Sequence, residues 1–235
     1  MKPKPADEDA LLSSMCLKTQ ISLVRNVARY PFPTQETPLS AVPVALWLKQ
    51  LGRIFPYEDL TDNEEMIAIA DIRFGLAPIE DRHEAYRLLR FAPVFNGKEV
   101  SVWCELMAGN HFTFTMTGVE LDLVERVTFL EGFVDQFAED LDFAYDEQFG
   151  YLTSLLTLTG TGLRIRSWVH IPGLMTMNYQ MHLAGAAEVK GVLTEYLLED
   201  DPAPGNIVIL YNRFSLHLPT ADIVRDYKKF LKRVA

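Results

Sequence analysis

The sequence predicts an α+β fold in which antiparallel strands pack against a long helix. Two strand-like runs, 151–159 and 163–171, are joined by Gly160-Thr161-Gly162, which is typical of a hairpin. A second hairpin is predicted over 99–117. In 119–141 the apolar residues recur at alternating spacings of four and three, as in a helix with one buried face. Packing across a sheet explains this spacing better than a coiled-coil seam, because one segment is short for a seam.

The hairpin predicted over 99–117 turns at Ala108-Gly109-Asn110. Side chains alternate between the two faces of a strand, so each strand presents one apolar face. The apolar positions are Val102, Cys104, Leu106, Phe112, Phe114 and Met116. Glu105 falls on the opposite face of its strand, and we expect it to face solvent.

Three further strands complete the predicted sheet. The stretch 18–33 predicts an edge strand that ends in a proline-punctuated turn. Strands are also predicted over 191–198 and 206–211, and Pro202, Pro204 and Gly205 make the turn between them.

Helices are also predicted near the beginning and near the end of the chain. The N-terminal part carries candidates at 44–54, 66–72 and 81–89. Another is predicted over 175–187, and a last one is capped by Thr220. The residues expected to be largely buried in 175–187 are Met175, Met177, Met181, Leu183 and Ala184.

Composition indicates one compact unit. A chain of 235 residues with 49% hydrophobic content can bury a large core. Residues 1–17 are expected to be a flexible tail, and 18–235 a domain with an N-terminal helical part (18–98) and a sheet-and-helix core (99–235). The net charge of −10 argues against a nucleic-acid partner. We find no membrane-length apolar run, no signal-peptide pattern and no metal-ligand spacing of the two cysteines, so a cytoplasmic location is expected.

Several stretches resemble the phosphagen (guanidino) kinases, and most closely the bacterial protein-arginine kinases. Gly150-Tyr151-Leu152-Thr153-Ser154 and Gly160-Thr161-Gly162-Leu163-Arg164 keep the separation found in the family pattern GYLTSCPTNxGTGLRAS. The stretches 18–33, 189–195 and 205–212 are similar to other family motifs in the same order. The resemblance implies a large, mostly antiparallel sheet flanked by helices (the guanidino kinase or glutamine synthetase-like catalytic fold) with a small helical N-terminal region.

The polar contents of the family's active site differ in this chain. Two arginines that hold nucleotide phosphates in the family fall on Gln20 and Ser22, and the family's cysteine falls on Leu155. The family's NEEDH turn corresponds to residues 107–111, where His111 alone is retained. A guanidinium is permanently charged, so its activation needs a nearby carboxylate that this turn no longer supplies.

Three functions are compatible with these residues. The first is a degenerate kinase with a binding or regulatory role towards a protein partner, either a family kinase or another copy of itself. It implies no cofactor, metal, nucleic acid or membrane. The second is an active ATP-dependent guanidino kinase that uses Mg-ATP with relocated residues. Its candidate acids are Glu195 and Glu105, and its candidate nucleotide ligands are Arg164, Arg166, Lys190, Arg213 and His111. The third is a structural subunit that oligomerises.

Overall fold

A computed structural model describes residues 14–33, 38, 41–65, 85–118, 123–177, 179–196 and 206–234. Its strands are β1 (Cys16–Arg25), β2 (Tyr57–Asp59), β3 (Arg87–Phe91), β4 (Val94–Phe95), β5 (Lys98–Glu99), β6 (Val102–Leu106), β7 (Phe112–Gly118), β8 (Tyr145–Asp146), β9 (Gly150–Tyr151), β10 (Leu163–His170), β11 (Val192–Tyr196) and β12 (Ile207–Asn212). Eight of them form one antiparallel sheet in the order β11-β12-β10-β1-β7-β6-β3-β2. The pairs β4-β5 and β8-β9 stand apart.

The described helices are α1 (Val44–Ile54), α2 (Leu123–Asp135), α3 (Ala138–Leu141), α4 (Pro172–Thr176), α5 (Gln180–Val189) and α6 (Thr220–Val234). Helix α2 packs on β1 and β7, and α5 lies beside β11. Tyr227 of α6 donates a hydrogen bond to the carbonyl oxygen of Leu210 in β12, at 2.8 Å. Helices and sheet together give the predicted α+β class. No described helix is long and apolar enough to cross a membrane.

The sheet has one apolar face and one polar face. Ile21, Leu23 and Ile165 point from the apolar face towards α2 and are almost fully buried. The prediction that the long helix packs through one stripe is confirmed, because each of its members is buried: Leu123, Val127, Leu130, Val134 and Phe137. Each such side chain contributes roughly 1.5–3 kcal/mol by leaving water. The other face is polar over β1 and β10 and carries a smaller buried apolar cluster, Leu60, Tyr86, Leu88 and Trp103, at its β3 end.

Strand β1 lies inside the sheet, so the prediction of an edge strand is wrong. It pairs with β10 on one side and β7 on the other. The polar residues that suggested an edge, Gln20 and Ser22, lie on the polar face and are nevertheless buried. Cys16 and Leu17 already belong to β1, whereas residues 1–13 of the predicted tail lie outside the described residues.

The strand predicted over 151–159 is wrong, and with it the hairpin to 163–171. Only Gly150–Tyr151 is strand, and the chain then turns until it reaches β10. The Thr153 hydroxyl donates to the carbonyl oxygen of Leu155 at 2.7 Å, which holds the chain in a turn. Leu155 and Leu156 are 50% and 82% exposed and only Leu158 is buried, at 3%, so the leucines here do not form the buried face of a strand.

Three helix predictions also change. Residues 87–89 are part of β3 rather than a helix, and the candidate at 66–72 lies outside the described residues. The long helix stops at Asp135 and resumes as α3, which ends at a left-handed Asp142 (φ 50°). The segment 175–187 is divided between α4 and α5. Two residues expected to be buried there are exposed, Met177 by 63% and Met181 by 81%.

Three glycines allow four backbone segments to meet beside β10. Gly150, Gly160 and Gly162 all have positive φ (77°, 115° and 69°), which other residues rarely adopt. A Cβ on Gly160 would lie 2.3 Å from the carbonyl oxygen of Ser215, and one on Gly162 would lie 2.5 Å from that of Val24. The Gly-x-Gly turn is therefore required by backbone packing.

Candidate functional site

A cleft of about 470 Å³ lies over the polar face of the sheet. Its floor is formed by β10, β1, β7 and β6, and its walls by the turn after β6 and the loop after β9. The lining residues are Gln20, Ser22, Val24, Pro33, Glu105, Ala108, Gly109, Asn110, Thr113, Ser154, Leu155, Leu158, Arg164 and Arg166. Four of the sequence-predicted residues therefore come together here with Arg166: Gln20, Ser22, Glu105 and Arg164.

One side of the cleft carries two arginines on the same strand face. Arg164 and Arg166 alternate with buried residues along β10, so both lie on the same face, and both are half-buried. Burial lowers the pKa of Arg164, and the charge of Arg166 lowers it further. The Nε atom of Arg164 is buried without a hydrogen-bond partner. Within the described residues, no carboxylate oxygen lies within 4.0 Å of either guanidinium. The pair is therefore an uncompensated positive site.

Gln20 and Ser22 face these arginines across the strand pair. The register places Gln20 opposite Arg166 and Ser22 opposite Arg164. The Ser22 hydroxyl lies 2.9 Å from that of Thr115, and Gln20 Nε2 donates to Ser22 Oγ at 3.4 Å. Gln20 Oε1 is buried without a partner among the described residues. The positions that resemble phosphate-binding arginines thus form a neutral polar row beside two cations.

The opposite side of the cleft carries Glu105. Its side chain is on the face away from Cys104, as the alternation predicts, but it is half-buried and lines the cleft. The Tyr86 hydroxyl donates a hydrogen bond to Glu105 Oε1 at 3.3 Å. Three strand spacings separate β6 from β10, or roughly 14 Å at about 4.8 Å each. Glu105 therefore forms the acidic end of a cleft whose basic end is Arg164.

An amide network holds the two walls of the cleft together. Asn110 Oδ1 accepts hydrogen bonds from Asn26 Nδ2 at 3.0 Å and from the backbone N–H of Ser154 at 2.9 Å. Asn26 Oδ1 accepts from the backbone N–H of His111 at 2.7 Å. The turn between β6 and β7 and the loop after β9 are thus fixed relative to each other.

His111 does not line the cleft, which contradicts its assignment as a nucleotide ligand. Its side chain is fully buried and packs on Trp47, with ring centroids 4.8 Å apart. Nδ1 accepts a hydrogen bond from the backbone N–H of Val27 at 2.9 Å, so Nε2 donates to the carbonyl oxygen of Pro31 at 3.0 Å. Burial lowers the pKa of His111 to about 4. The neutral ring therefore has a structural role, in which it joins the backbone at Val27 to that at Pro31.

Three other candidates lie outside the cleft. Lys190 is exposed at the end of α5, and Arg213 is paired with Glu188 at 2.8 Å. Glu195 is exposed on β11, opposite Ile209 of β12, which puts it two strands from β10. The sequence motifs that contain these residues match the family, but none of the three is among the described lining residues of the cleft.

Two cleft residues carried weaker signals in the sequence. Arg166 was one of several possible cations, and only the strand register shows that it faces Gln20. Its signal was alternation, because a residue two positions from Arg164 on a strand must share its face. Asn110 was read as a turn residue, and its link to Ser154 had no signal in the sequence.

Comparison with known proteins agrees with the fold. A model of the ATP:guanido phosphotransferase C-terminal catalytic domain matches residues 49–235. The chain belongs to the ATP:guanido phosphotransferase family. It is 27% identical to a protein-arginine kinase of Shouchella clausii (strain KSM-K16) and 25% identical to one of Bacillus cereus (strain AH187). Both alignments cover all of this chain, which spans 65% and 66% of those relatives.

Solved structures of ATP:guanido phosphotransferases share the fold. The duplicated taurocyamine kinase of Schistosoma mansoni, with bound transition state analog components, matches with a TM-score of 0.72 at 18% identity. The match covers 100% of this chain and 34% of the taurocyamine kinase chain. Lombricine kinase matches with a TM-score of 0.69 at 17% identity, over 94% of this chain and 65% of its own. The eight-stranded sheet is therefore the guanidino kinase fold.

Among the described residues, the cleft holds only part of the cation set that the family resemblance implies for Mg-ATP. Two of the expected arginine positions hold Gln20 and Ser22, and two further cations, Lys190 and Arg213, lie outside the cleft. No group of three or more His, Cys, Asp or Glu residues within the described ranges could hold a metal ion. The Nε atom of Arg164 lacks an acceptor among the described residues, so the site retains capacity for an anion.

Proposed function

We propose that this member of the ATP:guanido phosphotransferase family is a pseudokinase, which acts by binding rather than by phosphoryl transfer. The observation that carries the proposal is the distribution of charge in the cleft. Glu105 is the one carboxylate among its described lining residues, and it lies roughly three strand spacings, or about 14 Å, from the arginines. The turn nearest to it presents Ala108 and Gly109, which cannot orient a guanidinium.

The missing groups are those that phosphoryl transfer requires. The moving phosphoryl group must be neutralised while the attacking nitrogen is aimed in line with it. A hydrogen bond to a charged group contributes about 1.5–3 kcal/mol. The loss of two carboxylate contacts alone would therefore slow transfer by roughly 10²–10⁴-fold. Because Gln20 and Ser22 bring no positive charge to the phosphates, Mg-ATP is expected to bind with a dissociation constant weaker than about 100 μM.

A transfer assay tests this proposal. The protein is incubated with Mg-ATP and an arginine-rich substrate protein, beside a protein-arginine kinase as positive control, and phospho-arginine is measured by mass spectrometry. We expect no signal above the background without protein. The Glu105→Gln and Glu195→Gln variants are run in parallel. A signal that disappears in either variant would show that the chain is an active kinase.

An active kinase with a relocated acid is the second candidate, and the position of Glu105 favours it. This carboxylate lines the same cleft as Arg164, and its hydrogen bond to Tyr86 fixes its orientation. In that case the signal would be lost in Glu105→Gln and retained in Glu195→Gln, because Glu195 is exposed and does not line the cleft.

The binding role that we propose involves a protein partner, either a family kinase or a second copy of the chain. Leu155 forms part of the cleft wall and is half exposed, and its neighbour Leu156 is 82% exposed. Two adjacent exposed leucines at the mouth of a cleft are suited to burial in a protein interface. A cytoplasmic location is part of the same proposal.

A further inference from the structure

Arg166 occupies the place in the cleft that faces the lost arginine position at residue 20. Strands β1 and β10 are antiparallel, and their register sets Gln20 directly opposite Arg166. Side chains at directly opposed positions lie on the same face, with Cβ atoms about 4.5–5.5 Å apart. A guanidinium on residue 166 can therefore reach the same part of the cleft as one on residue 20.

We propose that Arg166 replaces, from the neighbouring strand, the guanidinium that the family resemblance places at position 20. The Arg164–Arg166 pair then holds a phosphoryl group. This inference rests on the binding role proposed above and names the chemical class of the ligand. One cation of the cleft then lies on β10 instead of β1. The cleft therefore still prefers an anion although residue 20 is a glutamine.

The charge distribution around the pair supports an anionic ligand. Arg164 and Arg166 repel each other, as the lowered pKa of Arg164 indicates, and neither is paired with a described carboxylate. The orphaned Nε of Arg164 is a buried donor without an acceptor, which is costly unless a ligand supplies one. An anion between the guanidinium groups would relieve both unfavourable terms.

The position of the Arg166 side chain is also restricted by contact with Trp168. Its guanidinium lies 5.1 Å from the ring centroid of Trp168, and Lys18 Nζ lies 3.8 Å from the same ring. Stacking of this kind restricts a long side chain before a ligand arrives. Lys18 adds a third positive charge at this end of the sheet, far from Glu105 at the other end.

The two positive charges favour a phosphoryl dianion over a singly charged carboxylate. Two guanidinium forks provide paired N–H donors that match the oxygens of one phosphoryl dianion in number and charge. The cavity of about 470 Å³ leaves room for the molecule that carries this group, and Leu155 and Leu158 give it an apolar wall. The carrier can be a nucleotide or a phosphorylated guanidino side chain, since both present the same terminal group.

Calorimetric titration with a strand-swap variant tests the proposal. The probes are inorganic phosphate, phospho-arginine and Mg-ADP, with unmodified arginine as the blank. We expect at least one phosphoryl probe to bind with a dissociation constant below about 1 mM, at a two-guanidinium site of this kind. Arg166→Ser should weaken that binding at least tenfold. The double variant Gln20→Arg/Arg166→Ser returns the guanidinium to β1 and should restore it.

Two matched controls separate binding from folding. Arg213→Ser removes an arginine outside the cleft and should leave the affinity unchanged, and thermal unfolding shows whether each variant folds. Arg166→Lys keeps the charge without the fork and should bind more weakly than the parent protein but better than Arg166→Ser. This conservative variant keeps the test decisive if Arg166→Ser does not fold.

Each outcome decides between the possibilities. Stronger binding of phospho-arginine than of Mg-ADP supports a phosphorylated side chain as the carrier, and the reverse supports a nucleotide. Absence of binding by all three probes, no effect of Arg166→Ser, or no recovery in the double variant would overturn the inference. None of these binding results would show that the protein catalyses transfer. A positive phospho-transfer assay would overturn the pseudokinase proposal, but it would not contradict phosphoryl binding by Arg164 and Arg166.

Discussion

The buried ring of His111 couples folding to pH. Its pKa of about 4 in the folded protein lies below the ordinary value of 6.5, because burial disfavours the charged form. The unfolded chain therefore binds more protons than the folded chain between these values. Stability is fully present above pH 6.5 and is lost as pH falls towards 4.

We expect this residue to lower the free energy of unfolding by about 3 kcal/mol between pH 6.5 and pH 4. Urea unfolding at half-unit pH steps measures the slope. In His111→Gln the slope over this window should be smaller, since glutamine does not titrate, although its absolute stability will be lower. His182→Gln, at an exposed helix position, should keep the slope of the parent protein. Equal slopes in His111→Gln and the parent would contradict the assignment.

The loop between β9 and β10 depends on Gly160 as well as on the hydrogen bond of Thr153. Gly160 has a φ of 115°, and an added Cβ would meet the carbonyl oxygen of Ser215 at 2.3 Å. Gly160→Ala should therefore lower the free energy of unfolding by about 3 kcal/mol or more, from backbone strain together with the clash. Chemical denaturation measures the change.

Gly185→Ala is the matched control for that substitution. Gly185 lies in α5, and nothing would contact its added Cβ within 4 Å. Alanine favours helix over glycine, so this variant should be unchanged or more stable by up to about 1 kcal/mol. If Gly160→Ala were as stable as Gly185→Ala, the backbone junction beside β10 would not restrict residue 160.

Alternation predicted some elements well and failed where local hydrogen bonds replace the sheet ladder. The hairpin of β6 and β7 has its apolar faces in register, Cys104 opposite Phe114, as the sequence predicts. The segment 151–159 has a similar composition, but Thr153 and Asn110 hold it as a turn through side-chain bonds to the backbone. The Thr153 bond is local, whereas the Asn110 bond joins residues distant in sequence, so composition does not reveal it.

At the scale of the whole molecule, the two exposed leucines predict association. We expect sedimentation velocity to show either a dimer of this chain at tens of micromolar or a complex with a protein-arginine kinase. Leu156→Ser should weaken the association, because Leu156 is 82% exposed beside the cleft wall. Val94→Ser, at another exposed apolar position, should not. A monomer that forms no complex with the kinase would contradict a protein-binding role.

The arrangement of the site depended on the order of strands in the sheet. Motif resemblance correctly brought Gln20, Ser22 and Arg164 into one cleft. It could not show that Glu195 lies two strands from β10 or that Arg166 faces Gln20, because both facts follow from pairing between distant segments. Sequence patterns specify which face of a strand a residue occupies, and the neighbours across that face are set by the fold.

The three glycines beside β10 are required by the fold and take no part in any reaction. Gly150, Gly160 and Gly162 let backbone segments pass at distances that a side chain would prevent, and they carry no group that could react. The backbone junction needs these glycines whichever polar residues line the cleft. Their presence in a sequence is therefore a sign of the fold and does not by itself indicate kinase activity, so a search for working kinases has to inspect the cleft residues as well.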